Sequence, residues 1–232
     1  MDDNGAMTSQ RASLSSPLRE TLRAVPSVVG VAPPWEPSSA PDDPRDLFVT
    51  WLTDAIDAAL PEPHAATLST VDEDGLPDVR VLVLKDVTDD GGFSIATTAE
   101  SAKGVQLAQN PGCALSFYWG PLARAVRIRG VARLAPASVS AADFLARHPA
   151  ARAQVLAGRQ SSVLADRAER DRLLADARAA VDADPGLVAP QWTAWTIEPS
   201  SIEFWQGSPD RDHQRLQYLR TASTWDRRSL WP

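Results

Sequence analysis

Five strand-like segments follow one another between residues 64 and 134, with a single short helical stretch among them, and no other feature constrains the fold as tightly. HAATLSTV (64–71) runs into the turn DEDG, PDVRVLVLKDV (77–87) into TDDGG, and FSIATT (93–98) follows. Alternating and β-branched runs punctuated by Asp and Gly predict three consecutive antiparallel strands joined by tight turns. SAKGVQLAQNP (101–111) reads as a short helix closed by Pro111, and GCALSFYW (112–119) and ARAVRIRGVARL (123–134) as two further strands about Gly120 and Pro121. Parallel strands need crossover helices, for which these connections leave no room, so the expected architecture is an antiparallel barrel.

The rest of the chain frames that barrel. DDPRDLFVTWLTDAIDAAL places Leu47, Phe48, Trp51, Leu52, Ile56 and Leu60 at helical spacing, with Asp42 or Asp43 as cap and Pro44 at the first turn. SVSAADFLARHP (138–149) and LADRAERDRLLADARAAVDA (164–183) read as helices, with the polar loop GRQSSV between them. QWTAWTIEPSSIEFWQG and RLQYLRTASTWDRRSLWP return to strands and carry five of the eight Trp residues. Residues 1–41, rich in Ser, Pro and Ala, read as a mobile N-terminal arm, and residues 42–232 as a single domain.

Composition removes several classes of function. With a net charge of -7 and no cluster of Lys and Arg, a nucleic-acid partner is not expected. Cys113 is the only cysteine, which excludes an intrachain disulfide framework and a cysteine-rich metal site, and no metal is expected. No apolar run is long enough to span a membrane, and no secretory signal pattern opens the chain, so the expected location is the cytoplasm. Lys occurs only twice, as Lys85 and Lys103, against 21 Arg.

Three stretches carry chemistry. RVLVLK (80–85) has a cation at each end; it reads either as a buried strand with surface charges or as two cations for an anionic ligand. TTAESAKG brings Thr97, Thr98, Ser101 and Lys103 to a helix start, which suits a phosphate as well as an ordinary Ser101 cap. IEFWQGSPDRDHQRLQY sets Arg211, His213 and Arg215 at alternate positions, on one side of an extended segment. His64 and His148 have no partners at ligand spacing.

Taken in order, TVDEDGLPDVRVLVLK, SAKG, NPGCALSFYW, RIRG, RQSS, EFWQG, RDHQR and RRSLWP resemble the pyridoxine/pyridoxamine 5′-phosphate oxidase family. The resemblance implies a mainly β fold with α, an FMN-binding split antiparallel β-barrel with flanking helices, and a homodimer with FMN at the subunit interface. It implies flavin contacts from Arg80, Val81, Leu82, Val83, Leu84 and Lys85, from Ala96, Thr97 and Lys103, from Gln160 and Ser161, and from Trp205 and Arg215. Arg80 and Lys103 would face the FMN phosphate. Lys85, Arg147, Arg211 and His213 match substrate-binding positions, with Arg211 and His213 also the catalytic pair.

Four positions depart from the family pattern. Ala102 replaces a second cation at the helix start and Ala125 a flavin-contacting glutamine, while Asp143 and Ala151 replace a tyrosine and a serine of the substrate-phosphate cradle. The leading expectation is an FMN-dependent oxidase passing a hydride from a small-molecule substrate to FMN, with oxygen as final acceptor and hydrogen peroxide as product. A same-fold oxidase of another, phenazine-like substrate and a flavin-binding protein without turnover are the alternatives.

Overall fold

The computed structural model describes residues 16–232. Helix α1 (Pro17–Ala24), capped by Ser16, buries none of its residues. Helix α2 (Pro44–Asp57) starts where Asp43 accepts the Arg45 N–H and Pro44 occupies the first turn. The strands are β1 (Ala65–Val71), β2 (Pro77–Val83), the two-residue β3 (Asp86–Val87), β4 (Phe93–Thr98), β5 (Gly112–Trp119), β6 (Arg124–Leu134), β7 (Trp192–Gln206), β8 (Gln214–Arg220) and β9 (Trp225–Ser229). Between them lie α3 (Ala102–Gln109), α4 (Ala137–Ala146), α5 (Pro149–Leu156) and α6 (Arg167–Ala183).

All the pairings are antiparallel, in the order β2-β1-β5-β6-β7-β4-β3, with β8 on β7 and β9 on β8. The expected run of three consecutive paired strands is corrected here. β1 and β2 form a hairpin, but the chain leaves β1 at Leu84, whose N–H still reaches the His64 carbonyl at 2.9 Å. One residue later the Lys85 N–H bonds the Ser94 carbonyl at 2.8 Å. A single peptide thus passes from one end of the sheet order to the other, which requires the sheet to curl.

β7 shows why the barrel is split. One edge holds β6 along its length, while the other holds β4 at residues 192–197 and β8 at residues 201–206. The exchange falls on Pro199, which has no N–H to offer a ladder. Opposite it, the register shifts between Arg129 and Gly130. A Cβ on Gly130 would lie 2.1 Å from the Glu198 carbonyl oxygen, so only glycine fits this bulge.

α2 plugs the barrel. Phe48 meets Phe93 and Phe117 edge-on at 4.9 and 5.0 Å, and Trp51 meets Phe204 at 5.2 Å. Arg124 is only 2% exposed, yet its charge is met by Asp54 at 2.6 Å, Gln206 at 2.9 Å and the Trp51 ring at 4.3 Å. Packing begins before residue 42: Trp35 lies against Trp51 at 4.9 Å, and the Tyr218 hydroxyl donates to the Pro41 carbonyl at 2.7 Å. Residues 1–15 of that arm lie outside the described residues.

Helix α5 was not expected from the sequence. Two smaller apolar clusters seat the helical layer, Phe144, Val155, Ala189 and Trp192 in one, and Ala153, Leu174, Ala177 and Val181 in the other. Among the described residues, no helix is long and apolar enough to cross a membrane, and no group of three His, Cys, Asp or Glu side chains is placed to hold a metal.

Candidate functional site

The RVLVLK stretch is not a buried strand. β2 lies at the end of the sheet order, and Val79 and Val81 are 62% and 71% exposed. Apolar side chains on an open strand edge call for a covering partner. Leu84, expected among the flavin contacts, has its side chain in the barrel core. The residues on either side of it, Val81 to Val83 and Lys85, line a cleft of about 510 Å³ between the barrel and the helical layer.

The other walls come from distant parts of the chain. β4 supplies Ala96, Thr97 and Thr98; the start of α3 supplies Lys103; α4 and α5 supply Arg147, Gln154 and Val155; the loop after α5 supplies Gly158, Arg159 and Gln160; and β7 supplies Trp192. That loop is held in a demanding conformation, with Arg159 and Ser161 at φ 60° and 72°. Its ends are tied to the α3 start: Thr98 Oγ1 donates to Gln160 Oε1 at 2.8 Å, and the Ala102 N–H reaches Ser161 Oγ at 3.4 Å. Ser101 caps α3 through the Gly104 N–H at 3.2 Å and also bonds Thr97 at 2.9 Å.

Arg80 stands beside this cleft rather than in its wall. Its guanidinium bonds Thr70, Asp78 and Gln106, the last at 2.9 Å. Burial and the nearby like charge of Arg80 push the Lys103 ammonium below its ordinary pKa, with Asp78 acting in the opposite sense. Two cations held close at a helix start, one of them half-desolvated, form a set that an anion with several oxygens would relieve.

At the other end of the cleft, Lys85 Nζ is 3.7 Å from Asp143 Oδ1. Asp143 Oδ2 accepts the Trp192 indole N–H at 2.8 Å, and Arg147 stacks on the same indole at 4.0 Å. Burial lowers the Arg147 pKa and the Asp143 charge opposes that shift, while Arg147 Nε is buried with no hydrogen-bond partner. Arg152 faces away, donating to the Pro185 and Leu187 carbonyls at 2.8 Å each.

The C-terminal candidates do not line this cleft. Trp205 and Arg215, register partners on β7 and β8, border a separate hollow of about 280 Å³ with Glu203 and Arg127. Glu203 is a buried carboxylate that binds both Arg127 and Arg215, the latter at 2.7 Å. The His213 ring lies 5.1 Å from Trp205, and its Nδ1 accepts the Ser208 N–H at 3.0 Å, which leaves Nε2 to carry the neutral ring's proton. The expected alternation of three side chains on one strand face fails, because Arg211 and His213 both precede β8 and only Arg215 lies on it. Arg211 sits in a turn at φ 73° and donates to Ser27 Oγ at 2.9 Å.

Sequence reasoning missed Trp192, Gln154, Val155 and Glu203. Trp192 and Glu203 sit in a strand that reads as core. The other two lie on α5, whose start was signalled by His148 followed by Pro149: the imidazole caps the Ala150 N–H at 3.2 Å.

Fold and site together define a split-barrel protein with a cation-lined cleft on one face and a second cluster of site-type residues elsewhere on the chain. The family model described as pyridoxamine 5′-phosphate oxidase matches residues 52–175, and that described as the pyridoxine 5′-phosphate oxidase C-terminal dimerisation region matches residues 192–232. The chain belongs to the pyridoxamine 5′-phosphate oxidase family. It is 44% identical over 198 residues to the pyridoxine/pyridoxamine 5′-phosphate oxidase of Thermosynechococcus vestitus, covering 84% of this chain and 92% of that protein. The enzyme of the same name from Pseudomonas paraeruginosa is also 44% identical, over 84% of this chain and 91% of its own. Among solved structures, PhzG from Burkholderia lata 383, in complex with tetrahydrophenazine-1-carboxylic acid, superposes with a TM-score of 0.81 at 28% identity, covering 88% of this chain and all of that one.

Proposed function

We propose that this chain is an FMN-dependent oxidase whose complete site forms between two copies of itself. The observation that carries the reading is the division of the site residues. Cations, a strained loop and an open strand edge surround the cleft, while Trp205, Arg211, His213 and Arg215 stand apart from it, within the stretch that matches the dimerisation region. A second copy placed over the exposed valines of β2 would join the halves.

In this reading Arg80 and Lys103 hold the FMN phosphate, and the Arg80–Lys103 repulsion described above is what that dianion relieves. Val81 to Val83, Lys85, Ala96, Thr97, Gln160 and Ser161 border the rest of the cofactor, with Trp205 and Arg215 contributed by the second copy. FMN supplies the hydride acceptor, which oxygen regenerates with release of hydrogen peroxide. Arg211 and His213 orient the substrate and take up or deliver its proton, His213 through the Nε2 side left open by its bond to Ser208. Glu203 holds Arg215 in place.

A second reading keeps this chemistry and changes the substrate from a vitamin B6 phosphate to another reduced ring. Asp143 at the Lys85–Arg147 end favours it, as does the likeness to PhzG. The test is anaerobic mixing of FMN-loaded protein with candidate substrates, following flavin bleaching, then admission of oxygen with peroxide detection. Bleaching by pyridoxine 5′-phosphate at rates ordinary for an oxidase supports the first substrate, and bleaching only by other reduced rings supports the second. Absence of FMN binding overturns the whole reading.

A further inference from the structure

We infer that Asp143 is a built-in counter-anion that sets the charge selectivity of the Lys85–Arg147 end of the cleft, so that this end takes a group bearing at most one negative charge in preference to a phosphate dianion. The inference rests on the FMN-oxidase reading for what occupies the remainder of the cleft. Its grounds are geometric. The carboxylate is fixed at both oxygens, one on the Trp192 indole N–H at 2.8 Å and the other 3.7 Å from Lys85 Nζ. Arg147 lies on the opposite partner of the same clamp, stacked 4.0 Å from the Trp192 ring centroid. Asp143 is 19% exposed at its side chain, so its charge is only partly screened by water.

The charges at this end sum simply. Lys85 and Arg147 contribute two positive charges and Asp143 one negative, leaving a single net positive charge. A carboxylate balances it, whereas a phosphate dianion leaves an uncompensated negative charge beside Asp143 in a half-desolvated site. The neighbouring arginines do not restore the balance. Arg152 is committed to two backbone carbonyls, and Arg159 is paired with Glu169 at 2.9 Å. Nor can Asp143 easily swing aside, because that would leave the indole N–H without its acceptor.

The experiment is calorimetric titration of FMN-loaded protein with 4-deoxypyridoxine and with its 5′-phosphate, two rings that differ only in the phosphate and carry no oxidisable group at the 4′ position. The ratio of their affinities isolates the phosphate. In the wild type the phosphate is expected to bring no gain in affinity. In Asp143→Asn the ratio should rise by about tenfold, the order expected for removing one like charge at partly screened range. A wild-type gain in affinity from the phosphate, a ratio unchanged in Asp143→Asn, or no binding of either ring each overturns the inference. The wild-type measurement stands even where the variant does not fold. FMN retention in the same samples reports separately on the oxidase reading.

Discussion

Arg80 already has acceptors on three residues of its own chain, and Lys103 is weakened as a cation first by burial and then by the charge of Arg80. Both facts bear on how strongly each would bind a phosphate. Charge-assisted hydrogen bonds are worth roughly 1.5–3 kcal/mol, so Arg80→Ala should weaken FMN binding by about tenfold or more in a fluorescence-quenching titration. Unchanged affinity would remove Arg80 from the site. Arg211 and His213 call for a different measurement. Arg211 lies in an exposed turn and His213 gives only one ring nitrogen to the fold. Replacing either by Ala should leave the melting temperature and FMN content near wild type and slow flavin reduction by about a hundredfold or more, the usual range for a lost acid–base or orienting group. Loss of folding in both variants would make them structural.

Among the elements, β6 and β7 carry the largest burden, because the bulge at Gly130 lets β7 change partners at Pro199. An added methyl there meets the Glu198 carbonyl at 2.1 Å, and backbone on both sides leaves no flexible side chain to yield. Gly130→Ala should therefore cost about 1–3 kcal/mol or more, the overpacking range, read as a lowered urea midpoint with an unchanged slope. Helix α5 matters for another reason: with α4 it brings Arg147 and Gln154 to the cleft, while Phe144, Val155 and Trp192 pack behind them. The cleft's helical wall is thus held by a satellite cluster, separate from the barrel core.

At the scale of the molecule, the open edge of β2 is the telling feature. Val79 and Val81 project from a strand with a neighbour on only one side. If a second copy covers them, Val81→Lys should halve the mass measured by light scattering and release FMN at the same time. A dimer that persists with FMN retained would place the interface elsewhere. A monomeric, FMN-loaded wild type would refute the shared site itself.

Strand density, turn chemistry and the α2 apolar spacing are local properties, and they determine an antiparallel barrel and an amphipathic helix beside it. The ordered motifs from Thr70 to Pro232 likewise carry family membership, because each depends on residue type at a fixed spacing. The exposure of β2 was not legible, since an apolar run reads the same whether it is covered by its own chain or by another. Neither was the turn at Arg211, because a positive φ at a non-glycine residue is imposed by its surroundings. The partner of Asp143 was beyond reach for the same reason. Only the tertiary structure brings Trp192, almost fifty positions away, and Lys85 to one carboxylate, because contacts that distant in sequence are chosen by how the sheet curls and the helices pack.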